Sequence, residues 1–325
     1  MRYLVVGAGA IGGGVAGLLH LAGLDVVVSA RGEHLAALRE RGLRLTVGHD
    51  DPVDVPLAVV GDPAEAGVDD ETVVLLAVKS QQTAGALDGL LPHLRPTTPV
   101  VSLQNGVSNE RTLLRHLAHV HAVTVMMPAS HLRPGEVTVH SAGKPGLLDI
   151  GRYPTGVDDV DRAVAADLTT AGFESIPRPD AMAWKHRKLL MNLGNGVRAA
   201  CAPGDDADEL LRVVRSEGEA ALAAAGIPVV SEDDDLARRG ELLRPLVDRD
   251  GVGSSTWQSL QRRTGETEVD HLNGEIVLLG RLHDVPTPAN EAVQRAVGDL
   301  ARRGGEVASL AAADLLAASR RARSS

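Results

Sequence analysis

Three glycines, Gly7, Gly9 and Gly12, stand directly after a short apolar run, Tyr3-Leu4-Val5-Val6, and open a helix-like segment, residues 11–22. In the motif Gly7-Ala8-Gly9-Ala10-Ile11-Gly12 the glycines meet three separate physical needs, namely a tight turn, close backbone approach to a pyrophosphate, and close packing of helix on strand. The helix start then offers unpaired N–H groups to an anion. The chain holds 35 glycines, so the spacing alone decides little. A strand before it, a helix after it and a second apolar run at residues 25–29 together predict a βαβ dinucleotide-binding unit.

The end of that second strand bears on which dinucleotide is bound. A site for NAD wants an acidic residue there to accept from the ribose 2′-hydroxyl, whereas this strand ends Val28-Ser29-Ala30-Arg31. Arg31 suits a 2′-phosphate, which it grips with two parallel N–H groups. A solvated loop arginine is the plainer alternative. The residues therefore favour NADP(H) over NAD.

A chain of 325 residues predicts two domains. The first half alternates Val/Leu-rich runs with helix-length segments, with strands expected at 3–6, 25–29, 72–78, 99–103, 122–126, 137–140 and 147–150. The last three are expected to extend the same sheet without crossover helices. Past Pro179 the sequence turns rich in Ala, Leu, Arg and Glu, and helices are expected over 184–200, 207–225, 266–282 and 290–303. The expected fold class is α/β: a Rossmann-type dinucleotide-binding domain over 1–179 and a mainly helical domain over 180–325. The net charge of −10 opposes nucleic-acid binding. The acidic stretch Glu232-Asp233-Asp234-Asp235 reads as a solvated face. A single cysteine, Cys201, fits a reducing, cytoplasmic compartment. No run is long enough for a membrane helix.

Four further segments give the chain a family likeness. Val78-Lys79-Ser80-Gln81-Gln82-Thr83, Gln104-Asn105-Gly106, Trp184-Lys185-His186-Arg187-Lys188-Leu189-Leu190-Met191-Asn192 and Thr267-Glu268-Val269-Asp270-His271-Leu272-Asn273-Gly274 occur in that order. Together with the glycine motif they resemble the motif series of ketopantoate reductases. The resemblance implies a Rossmann domain followed by a helical domain, with substrate and nicotinamide in the cleft between them, and reduction of the ketone of 2-dehydropantoate by NADPH. It implies Lys188 as the general acid and Glu268 as the carboxylate holding the substrate hydroxyl. It further implies Lys79 and Asn105 lining cofactor and substrate, Gln82 near the cofactor, and Asn192 and Ser255 touching substrate.

Independent chemistry agrees with these roles. Hydride arrival at a carbonyl carbon puts negative charge on oxygen, and a nearby ammonium lowers that barrier. On a helix Lys188, Asn192 and Asn195 share one face, though an exposed polar face has the same spacing. Lys185, the competing lysine, lacks an Asn four residues later. Lys79 and Asn105 follow expected parallel strands, at whose carboxyl ends such sheets bind ligands.

On the substrate side the chain departs from the family pattern. Gly196 stands where a second Asn is common, with Asn195 one residue earlier, and Thr256 and Ser259 replace Met and Asp. One extra residue lies between Ser255 and Glu268. Pantoate as product is thus less supported than reduction itself, and a paralogue acting on another oxoacid, or a non-catalytic NADP(H) sensor, remain as alternatives. His116, His119 and His121 cluster, but no carboxylate or cysteine stands near them in sequence, so no metal is expected. The apolar face of the C-terminal helix, 304–321, serves either a homodimer or its own domain.

Overall fold

The computed structural model describes residues 1–244, 246, 253–263 and 265–323. The chain divides into two compact units: residues 1–185 with the described part of 232–247, and residues 186–231 with the described part of 248–325.

The first unit contains strands β1 (Arg2–Val6), β2 (Asp25–Ser29), β3 (Leu43–Val47), β4 (Val53–Val55), β5 (Ala58–Val60), β6 (Thr72–Leu76), β7 (Val100–Ser102), β8 (Val120–Met126), β9 (Ala129–Ser130), β10 (Glu136–Val139) and β11 (Leu147–Arg152). Seven of them form one sheet in the order β11-β8-β7-β6-β1-β2-β5, parallel except where β11 runs antiparallel to β8. Successive side chains of a strand face opposite sides of its sheet. Tyr3 and Val5 therefore enter one core while Leu4 and Val6 enter the other. The first core is completed by helices α1 (Ala10–Leu21) and α5 (Asp159–Thr170), and the second by α3 (Thr83–Leu90) and α4 (Asn109–Leu114). The strand sequences are apolar on both faces because both faces are covered.

Residues 136–139 do not extend this sheet as their sequence leads one to expect. β10 instead pairs parallel with β3 and antiparallel with β9, in a second sheet of order β4-β3-β10-β9. This sheet lies on α1, and the glycines of α1 admit it. A Cβ at Gly13 would stand 3.1 Å from Val137, and one at Gly17 would stand 3.0 Å from Leu45.

Helix α2 (Gly32–Arg41) follows β2. Helices α6 (Ala181–Ala200), α7 (Asp205–Ala224), α9 (Ser255–Gln261), α10 (Asn273–Leu282), α11 (Pro288–Arg303) and α12 (Ala312–Arg323) make the helical part of the chain, α6 starting in the first unit. The single helix expected over 266–282 is two elements, a 3-10 turn at Glu268–His271 and then α10. They part at buried Leu272, whose backbone at φ −114°, ψ −87° leaves the helical region. Buried Glu217 of α7 accepts N–H bonds from Ala289 and Asn290 at the start of α11, where a carboxylate complements the helix dipole. Helix α12 packs on α7 and α11 through buried Leu316, with Arg320 bonded to Glu209, so its apolar face covers its own unit.

The acidic stretch is more than a solvated face. It forms the first turn of α8 (Glu232–Arg239), a helix of the first unit in which buried Asp235 accepts from Arg239 at 2.8 Å. Arg238 beside it is held by Asp149 and Glu174. Among the described residues no helix is long and apolar enough to cross a membrane.

Candidate functional site

The glycine turn joins β1 to α1, and the N–H of Gly7 donates to the Ser29 carbonyl of β2. Gly7 has φ +103°, and a Cβ there would stand 2.9 Å from Val78, so both conformation and space require glycine. A Cβ at Gly12 would collide with the Gly7 carbonyl and stand 2.8 Å from the Ala77 methyl. Gly9 differs: no atom lies within 4 Å of where its Cβ would be. The turn is thus tight on its inner side at Gly7 and Gly12 and open at Gly9, the residue just before helical Ala10 and Ile11. That openness at a helix N-terminus is what a pyrophosphate requires.

Arg31 caps the start of α2 in an extended conformation, with its side chain exposed just beyond buried Ser29 and Ala30. Its neighbour Gly32 takes φ +57°.

Lys79 and Asn105 sit in the loops after β6 and β7, at the carboxyl ends of adjacent parallel strands. Lys79 is half-buried and precedes a 3-10 turn, Ser80–Gln82, whose last residue, Gln82, is exposed. A buried network of neutral side chains locks the two loops together. The Gln104 amide donates to the Val78 carbonyl at 2.8 Å and to the Thr83 hydroxyl at 2.9 Å. Thr83 donates to Asn109 at 3.0 Å, and the Asn109 amide donates to Ser80 at 3.1 Å and to the Asn105 carbonyl at 3.0 Å. Buried polar groups satisfied in this way fix a geometry that apolar packing leaves loose. The sequence motif carries Gln104 without a role and leaves out Asn109; a cluster of amides beside strand ends is the signal available for both.

Two lysines lie on α6, Lys185 buried and Lys188 half-buried. Lys185 is 3% exposed, 2.7 Å from fully buried Glu110, and donates to the carbonyls of Gln104 at 2.8 Å and Val123 at 3.2 Å. Its ammonium therefore ties the start of α6 to the strand ends. Lys188, three residues on, is half-buried.

In the second unit Asn192 and Asn195 of α6 are joined by an amide hydrogen bond of 3.3 Å. The Asn195 carbonyl accepts from Ser254 at 3.4 Å, the residue that caps α9. Ser255 is the first residue of α9 and half-buried, its carbonyl accepting from Ser259 at 2.9 Å. Glu268 opens the 3-10 turn and is 8% exposed. At Gly196 a Cβ would stand 2.7 Å from Val293, so this position has no room for a second asparagine.

The three histidines do not act as a group. His121 of β8 is fully buried and its Nδ1 lies 2.8 Å from Asp161, a carboxylate brought from α5 that proximity in sequence did not reveal. Asp158 and Asp161 are engaged in capping α5: Asp158 accepts from the N–H of Val160 and Asp161, and Asp161 accepts from the N–H of Asp158. Among the described residues His121, Asp158 and Asp161 are the one His/Cys/Asp/Glu group compact enough for a metal. The paired cap accounts for its carboxylates.

Comparison with known proteins finds the family Ketopantoate reductase PanE/ApbA over residues 3–155 and its C-terminal region over 180–301. A protein of Halobacterium salinarum named 2-dehydropantoate 2-reductase is 31% identical over 323 residues, covering 93% of this chain and 98% of its own. The crystal structure of a PanE/ApbA family ketopantoate reductase from Ralstonia eutropha JMP134 superposes with a TM-score of 0.79 at 29% identity, covering 94% of this chain and 99% of that one. A D-mandelate dehydrogenase solved with NADH and anilino(oxo)acetate has the same fold, with a TM-score of 0.79 at 21% identity over 94% of this chain and 99% of that one.

Proposed function

The chain belongs to the ketopantoate reductase family, and from that premise we propose that it reduces the ketone of a 2-oxoacid with NADPH, with 2-dehydropantoate the leading substrate and pantoate the product. The observation that carries the reading is the glycine turn open at Gly9, beside strand-end loops that present Lys79 and Asn105. In this reading the Rossmann-type part, 1–179, takes the dinucleotide, and the helical part, 180–325, supplies the acid and the carboxylate.

The residues fit the cofactor. Gly7, Gly9, Ala10, Ile11 and Gly12 would receive the pyrophosphate at the start of α1, Arg31 the 2′-phosphate, and Lys79, Gln82 and Asn105 the nicotinamide half. When bound, NADPH supplies a hydride. Lys188 protonates the oxygen that becomes negative as the carbonyl is reduced, from its Nζ, and Glu268 accepts a hydrogen bond from the substrate hydroxyl. Asn105, Asn192, Asn195 and Ser255 orient the oxoacid, and orientation contributes by holding the reacting atoms in register. This reading gives the role of acid to Lys188 rather than to Lys185, whose buried ammonium lies 2.7 Å from Glu110 and donates to the carbonyls of Gln104 and Val123.

One observation favours a second reading in which another oxoacid is the substrate. The family's second asparagine has no counterpart at the crowded Gly196. A panel of 2-oxoacids with NADPH, followed at the nicotinamide absorbance, tests both. Fastest turnover of 2-dehydropantoate supports the first, and a preference for a different oxoacid supports the second. Tight NADPH binding with no turnover of any oxoacid would overturn both in favour of a cofactor sensor. A cytoplasmic homodimer completes the proposal, and sedimentation of the purified chain tests the dimer; the face of α12 that holds Leu316 is already packed on its own unit.

A further inference from the structure

We propose that His34 is a positioning residue for the glycine turn: by holding the Ala8 carbonyl it orients the Gly9 N–H that meets the cofactor pyrophosphate. The proposal rests on the glycine turn being a dinucleotide site.

His34 lies on α2, three residues after Arg31, and reaches across to the turn between β1 and α1. Its Nε2 is 2.8 Å from the Ala8 carbonyl oxygen, and its Nδ1 is 2.8 Å from the backbone N of Gly135. These two partners dictate the tautomer. The Gly135 N–H can only donate, so Nδ1 carries the lone pair and the proton resides on Nε2, which donates to Ala8. Burial lowers the imidazole pKa, which keeps this neutral form in place at neutral pH, and the ring of His131 packs against it at 4.2 Å between centroids.

The consequence for the turn follows from peptide planarity. The Ala8 carbonyl and the Gly9 N–H belong to one rigid trans unit and point in opposite directions. A donor fixed on the carbonyl therefore turns the Gly9 N–H the other way, at the residue around which the turn is open. The helix beneath leaves room for this arrangement, because a Cβ at Gly13 would stand 2.8 Å from the Ala8 oxygen. The same turn of α2 begins at Arg31, so one helix end sets both the pyrophosphate donor and the proposed 2′-phosphate cation. No motif announces this role, since His34 is near Ala8 only in the folded chain.

Three variants separate positioning from mere support. His34→Gln keeps an N–H donor near the Nε2 position, His34→Asn keeps an acceptor near Nδ1 but falls short of Ala8, and His34→Ala keeps neither. NADPH binding is followed by nicotinamide fluorescence, with a thermal melt of each protein. Loss of one buried hydrogen bond that orients a ligand donor is expected to weaken NADPH about tenfold in the Asn and Ala variants, with the Gln variant within about twofold of wild type. Equal affinities in all three variants, or a Gln variant as weak as Ala, overturn the proposal. Should the Asn and Ala variants fail to fold, the Gln variant decides alone, and a loss of about tenfold there overturns it. Wild-type protein that binds neither NADPH nor NADH sinks the dinucleotide reading itself, which these outcomes keep distinct from failure at His34.

Discussion

Lys185 and Glu110 form an ion pair of 2.7 Å in which one side chain is 3% exposed and the other fully buried. The Lys185 ammonium is within hydrogen-bonding distance of Glu110 Oε1, whereas Glu110 Oε2 has no hydrogen-bond partner among the described residues. A buried pair of this kind adds little over an apolar pair, but breaking it from one side strands a charge. Lys185→Met is therefore expected to destabilise the protein by about 3–5 kcal/mol in urea unfolding. A double variant, Lys185→Met with Glu110→Leu, should recover much of that loss; no recovery would mean that Lys185 acts through the Gln104 and Val123 carbonyls instead.

One helical turn further on, Lys188 is expected to behave in the opposite way. Removing a general acid typically costs a factor of about 10²–10⁴ in turnover. Lys188→Ala should lower kcat by that order while its melting temperature and NADPH affinity stay near wild type. Unchanged turnover would remove Lys188 from the mechanism.

The glycine turn offers a pair of substitutions of the same size with different outcomes. Gly12→Ala drives a methyl group into the Gly7 carbonyl and Ala77, and overpacking of this kind costs about 1–3 kcal/mol. Gly9→Ala meets no atom within 4 Å and has an ordinary φ of −66°, so the fold should tolerate it. Its methyl group would occupy the approach proposed for the pyrophosphate. Melting curves with and without NADPH should thus show a lower midpoint for the first variant, and for the second a normal midpoint that NADPH no longer raises.

Arg31 is exposed at the start of α2, so its loss should leave stability unchanged. If it grips a 2′-phosphate, Arg31→Ala weakens NADPH on the order of 10–100-fold and NADH hardly at all, the scale of a charge-assisted, bidentate contact. Equal losses for the two cofactors in a titration would refute the assignment.

His34 also carries a pH dependence. Burial lowers its pKa from 6.5, outweighing the opposing hydrogen bond to Ala8, and the other titratable ring facing it is His131. The unfolded chain binds the proton more readily than the folded one, so the stability from neutral His34 is complete above about pH 6.5 and is lost as pH falls through the lower folded value. The urea midpoint of wild type should drop between about pH 7.5 and about pH 5 by more than that of His34→Gln. Parallel slopes would place the titration elsewhere.

The parts of this protein legible in its sequence are those governed by local rules. Near-continuous apolar runs marked β1, β2, β6 and β8, and the glycine spacing marked the turn between β1 and α1, because steric need at Gly7 and Gly12 is set by atoms close along the chain or on the adjoining strand. Helix spacing alone put Lys188, Asn192 and Asn195 on one face. The three-residue strands β4 and β5 carry too little periodicity to register, whereas β3 alternates apolar and polar residues over Leu43–Val47 and its signal was present in the sequence.

What the sequence by itself determined is the dinucleotide-type turn, the α/β class and the identity of the polar residues offered at the strand ends. The tertiary structure decided that Lys185 meets buried Glu110, that β10 leaves the main sheet for β3, and that Asp161 rather than another histidine meets His121. It also brought His34 to the Ala8 carbonyl. The physical reason is one of range. Backbone conformation and periodicity are written in neighbouring residues, whereas a buried charge or imidazole finds its partner among groups 26 to 75 positions away, and only packing chooses which.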